Sequence, residues 1–246
     1  MDQPVGLPGL GAEMERQLVE VIEDLERLCH RRLVAVFLYG SAARGDFIPG
    51  RSDLNLLIVL QSVRLEDLSE AAKLFHRWKK LRIAPLFLTF GELRHATRVF
   101  PLELVDIKDS GYLLYGSNLL DAIQVGADDV RAQCRRELHA RLIRLRQEYL
   151  ELGDRRNALS GILTGALTSL LPAFRALLRL GGPPVPTTDM AVVEAIVTKH
   201  DLDRDLFTTL LALKRGSRQL ATADLEGLLS RLLVEWERVI ALVDAL

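Results

Sequence analysis

LYGSAARGDFIPGRSDLNLLIVL, from Leu38 to Leu60, is the stretch whose reading decides the fold. An apolar run from Leu33 to Tyr39 stops abruptly at Gly40-Ser41, and a second apolar run follows with Asp53 and Asn55 at its entrance. This order predicts a buried strand, a tight turn, a short helix and another buried strand. Asp53 and Asn55 are two apart, so on a strand their side chains project from one face. The Gly40-Ser41 turn opens a helix start, where free backbone N–H groups and the helix dipole favour a phosphate. Gly40 lets the backbone approach closely, and the Ser41 hydroxyl can add a hydrogen bond. The expectation is a phosphate cradle facing a strand-borne metal position.

The pattern G-S-x10-S-D-x-N, with Arg44-Gly45-Asp46 inside it, resembles the signature of the DNA polymerase β-type nucleotidyltransferase superfamily. Within that superfamily it is most similar to the aminoglycoside and minimal nucleotidyltransferases. Their usual form is G-S, a spacer often containing A-R-G-D, then S-D-x-D-L-x-V. Here the last part reads Ser52-Asp53-Leu54-Asn55-Leu56-Leu57-Ile58-Val59. The resemblance implies an α+β fold, a nucleotidyltransferase-like mixed sheet with flanking helices, followed by an all-α helical bundle. It also implies a nucleoside triphosphate bound through Gly40, Ser41, Arg44 and Ser52. Asp53 and Asn55 would stand at the catalytic positions, with Asp53 as the ligand of an Mg²⁺ that accompanies the nucleotide.

The departure from the family pattern matters as much as the match. Family members hold Mg²⁺ with both strand carboxylates, and a third carboxylate on a later strand helps activate the attacking hydroxyl. In this chain the second position is Asn55, a neutral amide, and the next strand candidate, Arg82 to Thr89, contains no acid. Two of three catalytic carboxylates are therefore missing by this alignment. Mg²⁺ prefers hard oxygen ligands and usually takes one or two carboxylates beside substrate phosphates. Loss of a general base typically costs about 10² to 10⁴ in rate. Glu92, Glu103 and Asp106 are the nearest substitutes, although helix-capping or surface work is the more ordinary use of such acids.

The chain has 246 residues, 49% hydrophobic and 26% charged, enough for one large or two ordinary domains with well-formed cores. Its 32 Lys and Arg stand against 33 Asp and Glu, so no broad basic field draws it to nucleic acid or to an anionic membrane. Cys29 and Cys134 have no Cys or His neighbour at metal-ligand spacing, which points to a reduced, cytoplasmic protein. Residues 1–12, MDQPVGLPGLGA, lack the basic start and apolar core of a signal peptide and read as a flexible tail. Ala158 to Phe174 is apolar and contains Gly161-x-x-x-Gly165. It is nevertheless short for a span and bounded by arginines, so a buried bundle helix is expected and no membrane partner.

Outward from the central stretch, Glu13 to Arg32 and Leu65 to Lys80 carry helical apolar spacing. The basic tip of the second, His76-Arg77-x-Lys79-Lys80-x-Arg82, reads as cations complementing the helix dipole. Ile83 to Thr89 is a strand that Pro85 assigns to an edge or a bulge. Leu102 to Ile107 is expected as another short strand, and Tyr112 to Ser117 as a turn linking two domains, 13–124 and 125–246. The second half loses strand signal. Asp128 to Gly153, Arg155 to Leu180 bent or interrupted near Pro172, Asp189 to Lys199, a helix ending toward Lys214 and Thr222 to Ala245 make five helices. Thr188 caps the third, and Asp201 or Asp203 the fourth. His139 and His200 have no partners at metal or triad spacing. The bundle also resembles the helical partner domains found beside minimal nucleotidyltransferases, but the R-x4-6-H motif of the HEPN ribonuclease toxins is not matched.

Three functions follow from this reading. The first is a nucleotidyltransferase-fold protein that binds a nucleoside triphosphate and has lost or weakened catalysis. The second is an active enzyme passing a nucleoside monophosphate to a small-molecule or protein hydroxyl. The third is a ligand-free structural or interaction protein, with a protein partner or a second copy of the chain meeting the helical half.

Overall fold

The apolar run at 33–39 forms β1 (Leu33–Tyr39), and the run after Asp53 forms β2 (Leu54–Leu60). In the computed structural model, which describes residues 7, 10–153, 155, 158–182 and 184–246, these two strands are the middle of a four-stranded sheet. β1 pairs antiparallel with β2 on one side and with β4 (Tyr112–Gly116) on the other, while β2 pairs parallel with β3 (Ile83–Thr89). The sheet is therefore mixed, in the order β3-β2-β1-β4. Pro85 sits on an edge strand, where a missing N–H costs no ladder bond on the open side.

Near-continuous hydrophobicity of the two middle strands is explained by cover on both faces. Val36, Leu38, Leu54, Leu56, Ile58 and Leu60 pack with Leu18, Val21 and Leu25 of α1 (Ala12–Cys29) and Trp78 of α3 (Leu65–Lys80). The alternate residues Ala35, Phe37, Leu57 and Val59 pack with α4 (Phe90–Val99) and α5 (Pro101–Ser110), through Leu93, Ala96, Leu104 and Ile107. α2 (Ser41–Arg44) is the single turn between β1 and the loop that returns to β2.

Two sequence expectations give way here. Leu102 to Ile107 is helical, within α5: Pro101 occupies the first helical position, where its fixed φ favours a helix and its missing N–H costs nothing. Tyr112 to Gly116 is an ordered strand paired to β1. At its end Gly116 has φ 82°, and a Cβ there would stand 2.0 Å from the Val34 carbonyl oxygen, so only glycine lets β4 close onto β1. Of the expected tail, residues 1–6, 8 and 9 lie outside the described residues, whereas Leu7 and Leu10 are buried against the first core.

The chain divides into two units, residues 1–126 and 127–246. The described part of the second unit holds five helices, α6 (Ala127–Leu152), α7 (Leu159–Leu180), α8 (Asp189–His200), α9 (Arg204–Arg215) and α10 (Thr222–Asp244). The Thr188 side chain accepts the Ala191 N–H to start α8, and Asp203, not Asp201, accepts the Leu206 N–H to start α9. α7 continues through Pro172 as one helix. By length and composition α7 is apolar enough to cross a membrane, and most of that stretch is buried inside the bundle. Phe174 of α7 meets Phe207 of α9 edge-to-face, with ring centroids 5.4 Å apart.

The base of β1 is tied to α3 by a charge pair. Both terminal guanidinium nitrogens of Arg32 donate to the carboxylate of Asp67, which also accepts the Arg64 N–H at 3.0 Å. Asp67 is only 3% exposed, and the Arg32 guanidinium holds its carboxyl below the ordinary value of 3.8 against the opposing effect of burial. A carboxyl with a depressed folded pKa contributes stability above its unfolded pKa and loses it as pH falls through the folded one. In urea unfolding at pH 7, Asp67→Asn should lower stability by about 1–2 kcal/mol, the worth of charge-assisted hydrogen bonds. The gap should narrow when the comparison is repeated in acid below the ordinary carboxylate range.

Candidate functional site

At the end of β1 the chain turns at Gly40, with φ 77° and ψ −154°, into the single turn of α2, which Gly45 closes in the left-handed conformation. Tyr39 and Asn55 are direct cross-strand partners at this end of the sheet. The turn folds back over that pair so closely that a Cβ on Gly40 would stand 2.5 Å from Asn55 Nδ2. The Gly-Ser turn and the strand position of Asn55 are thus one site, as their order in sequence suggests. Because α2 is so short, Arg44 N–H and Asp46 N–H already bond back to Gly40 and Ser41 carbonyls, at 3.2 and 2.9 Å. The donors of the turn are then its earliest amides and the Ser41 hydroxyl.

The charged residues of the motif are drawn into pairs. Arg44 reaches α5, where its Nη1 donates to Asp106 Oδ2 at 2.6 Å, while its buried Nε has no hydrogen-bond partner. Ser52 closes the loop before β2: its Oγ accepts the Ile48 N–H at 3.0 Å, which leaves the hydroxyl proton to donate. Asp53 lies just outside β2, half exposed, and its carboxylate is paired with Arg82 Nη2 at 2.9 Å.

Arg82 is the site residue that the sequence reading passed over as part of a basic helix tip. It stands immediately before β3 with φ 56°, a left-handed conformation uncommon for a residue with a Cβ. Its carbonyl accepts the Leu54 N–H at 2.9 Å. Its guanidinium donates from Nε to the Ser52 carbonyl at 3.0 Å and from Nη2 to the Arg51 carbonyl at 2.9 Å. The parallel pairing of β2 with β3 brings it there, since Leu54 lies opposite Ile83. A sequence signal existed in the register: parallel strands put the residue before one start beside the residue before the other.

The three substitute acids separate by position. Glu92 belongs to the opposite end of the sheet, because Thr89 pairs with Leu60 while Ile83 pairs with Leu54. Six strand residues separate the two ends by about 20 Å. Glu92 completes a capping box with Thr89, whose N–H and hydroxyl hold its carboxyl below the ordinary range. Glu103 and Asp106 stand at the near end instead. Burial, with their two negative charges, pushes the Tyr39 phenol above its ordinary pKa. The neighbour of Asn55 on β3 is Ala84, so that strand offers no carboxylate beside it.

Residues 17–111 match the nucleotidyltransferase domain family. The matched stretch runs from within α1 through β1, the Gly40 turn, β2 and β3 to the end of α5. The fold of the chain is similar to that of spectinomycin adenyltransferase AAD(9) from Enterococcus faecialis, solved with ATP and spectinomycin. The TM-score is 0.62 with 12% identity, over 93% of this chain and 98% of that one, a likeness of fold. No curated protein matches the chain.

Nucleotidyltransferase domains typically use a divalent metal. The residues present here do not fit one. The one strand carboxylate, Asp53, is already paired with a guanidinium, its strand neighbour is an amide, and Ala84 completes the row. Among the described residues, no three His, Cys, Asp or Glu side chains are grouped to hold a metal ion. An amide oxygen can coordinate Mg²⁺ but brings no charge to offset the dication.

Close packing of the turn gives a direct test of its architecture. Gly40→Ala introduces both a strained φ and a clash with Asn55, and should cost about 1–3 kcal/mol in unfolding free energy. Gly11→Ala, at a position with open space around it, should shift stability far less in the same denaturation experiment.

Proposed function

We propose that the first unit binds a nucleoside triphosphate and that its nucleotidyl transfer is lost or weakened. The observation that carries this reading is the combination at Asn55. The phosphate turn is kept in contact with β2, while the row of metal-binding carboxylates is reduced to Asp53. Support for nucleotide binding comes from the Gly40 turn, the matched family and a neighbour of shared fold solved with ATP. In the bound state the Gly40-Ser41 turn, the Ser41 and Ser52 hydroxyls and Arg44 supply donors to phosphate oxygens. Arg44 reaches them by exchanging part of its contact with Asp106.

Nucleotidyl transfer depends on positioning and on neutralising charge that builds up at phosphorus. This site keeps groups for positioning and lacks those for activating an acceptor hydroxyl. A second reading, an active transferase, draws on Glu103 and Asp106 beside Tyr39. Asp106 is engaged by Arg44, so an active site built on it must first break that pair. Buried thiols at Cys29 and Cys134, the latter pushed up to about 12 by burial, support a reducing, cytoplasmic setting.

Calorimetric titration with ATP and GTP, coupled to a pyrophosphate-release assay over a panel of hydroxyl acceptors that includes spectinomycin, tests the proposal. Saturable binding is expected, with wild-type turnover either absent or at least about 10²-fold below that of Asn55→Asp. Failure of both nucleotides to bind sinks the nucleotide reading. Measurable wild-type turnover that Asn55→Asp does not raise sinks the claim of weakened catalysis, whereas absence of turnover in both proteins supports its loss.

A further inference from the structure

A triphosphate set beside the Asp53 carboxylate needs positive charge to offset the repulsion, and in this chain that charge is already present as Arg82. We propose that Arg82 takes the place of a divalent cation at Asp53, so that the site accepts a nucleoside triphosphate without Mg²⁺. The inference rests on the nucleotide-binding reading above and goes beyond it in naming the metal-free triphosphate as the ligand.

Four observations support it. First, the guanidinium is held by the main chain as well as by Asp53, through the Ser52 and Arg51 carbonyls at 3.0 and 2.9 Å. Its position therefore survives a change of partner at the carboxylate. Second, Arg82 and Asp53 are 43% and 53% exposed, and an ion pair this open contributes only about 0–1 kcal/mol, so re-partnering toward phosphate costs little. Third, the guanidinium has five N–H donors in a planar fork; Nε and Nη2 serve the two carbonyls and Asp53, and Nη1 is the end left for an incoming oxyanion. Fourth, the backbone at Arg82 has the unfavourable φ of 56° and its carbonyl accepts the Leu54 N–H, so this side chain leaves from a residue anchored to β2.

The charges agree with this assignment. Asp53 is matched by Arg82 and Asp106 by Arg44, so the two pairs contribute no net negative charge to attract a dication. A triphosphate brings several negative charges and finds two guanidinium groups, each able to give up a carboxylate for a phosphate oxygen. Mg²⁺ bound to the nucleotide in solution would meet the Arg82 cation where it would otherwise meet a ligand. Metal and arginine are therefore alternatives at Asp53.

Titration calorimetry with ATP, and separately with inorganic tripolyphosphate, in EDTA and in excess Mg²⁺, tests the assignment. The full-length protein should bind both ligands in EDTA, with an ATP affinity within about threefold of that in Mg²⁺. Arg82→Gln keeps a hydrogen-bond donor for the loop carbonyls and removes the charge. It should weaken binding in EDTA by about tenfold or more and restore part of it when Mg²⁺ is added, because Asp53 is released. A merely structural Arg82 would lower the melting temperature of Arg82→Gln without changing the ratio of affinities in EDTA and Mg²⁺. That result overturns the inference, as does unchanged affinity of the variant in EDTA. Wild-type binding that appears only with Mg²⁺ overturns it too, while leaving the nucleotide reading intact. Absence of binding under every condition removes both.

Discussion

Pairing of β1 with β2, in the register that sets Tyr39 against Asn55, is the constraint on which the rest of the first unit depends. It decides which residues face α1 and α3 and which face α4 and α5, because a shift of one residue would turn every side chain to the other face. It also fixes where the chain leaves β1. The turn at Gly40 must pass over the Asn55 side chain with no room for a Cβ, so the fold and the candidate site are specified by the same contact. The second consequence is at the sheet edge. Once β2 is in place, its parallel neighbour β3 can begin only beside Leu54, and Arg82 is delivered to Asp53 by that geometry.

Local apolar patterns made much of the architecture legible in the sequence. The runs at 33–39 and 65–80 became β1 and α3 with those bounds, because a buried strand and an amphipathic helix differ plainly in period. Thr188 and Asp203 were visible as helix starts for the same local reason. Pro85 marked an edge strand through its missing donor. What escaped was non-local. Leu102 to Ile107 has β-branched and leucine content that suits either state, and Pro101 settles it as a helix start. Tyr112 to Gly116 is too short to show a period, and its identity as a strand comes from β1, a partner far away in the chain.

At the candidate site, the residue types were legible and their partnerships were not. The Gly-Ser turn and the Asp-x-Asn pair are contiguous motifs, so their adjacency could be foreseen. The pairs Arg44–Asp106 and Arg82–Asp53 each join separate elements, and charge alone does not say which of many acids and bases will meet. By sequence Asp106 is a candidate replacement carboxylate, whereas in the structure it is engaged by the arginine of the motif itself. Glu92 illustrates the opposite case, since the Thr-x-x-Glu spacing of a capping box is local and its ordinary role was already expected.

The location of β4 has a consequence for how the protein is made. β1 is complete early in synthesis, and β2 soon follows, but the strand that closes the other side of β1 emerges only after α3, β3, α4 and α5. During that interval one edge of β1, lined by Val36 and Phe37, stays without its backbone partner. Such an edge can recruit another nascent chain. The bundle has a delay of its own, because α6 must wait for α10, the last helix made, before Trp236 Nε1 can donate to the Leu138 carbonyl. Within the first unit, Gly116, the last residue to lock β4 down, becomes a checkpoint for the birth of the sheet.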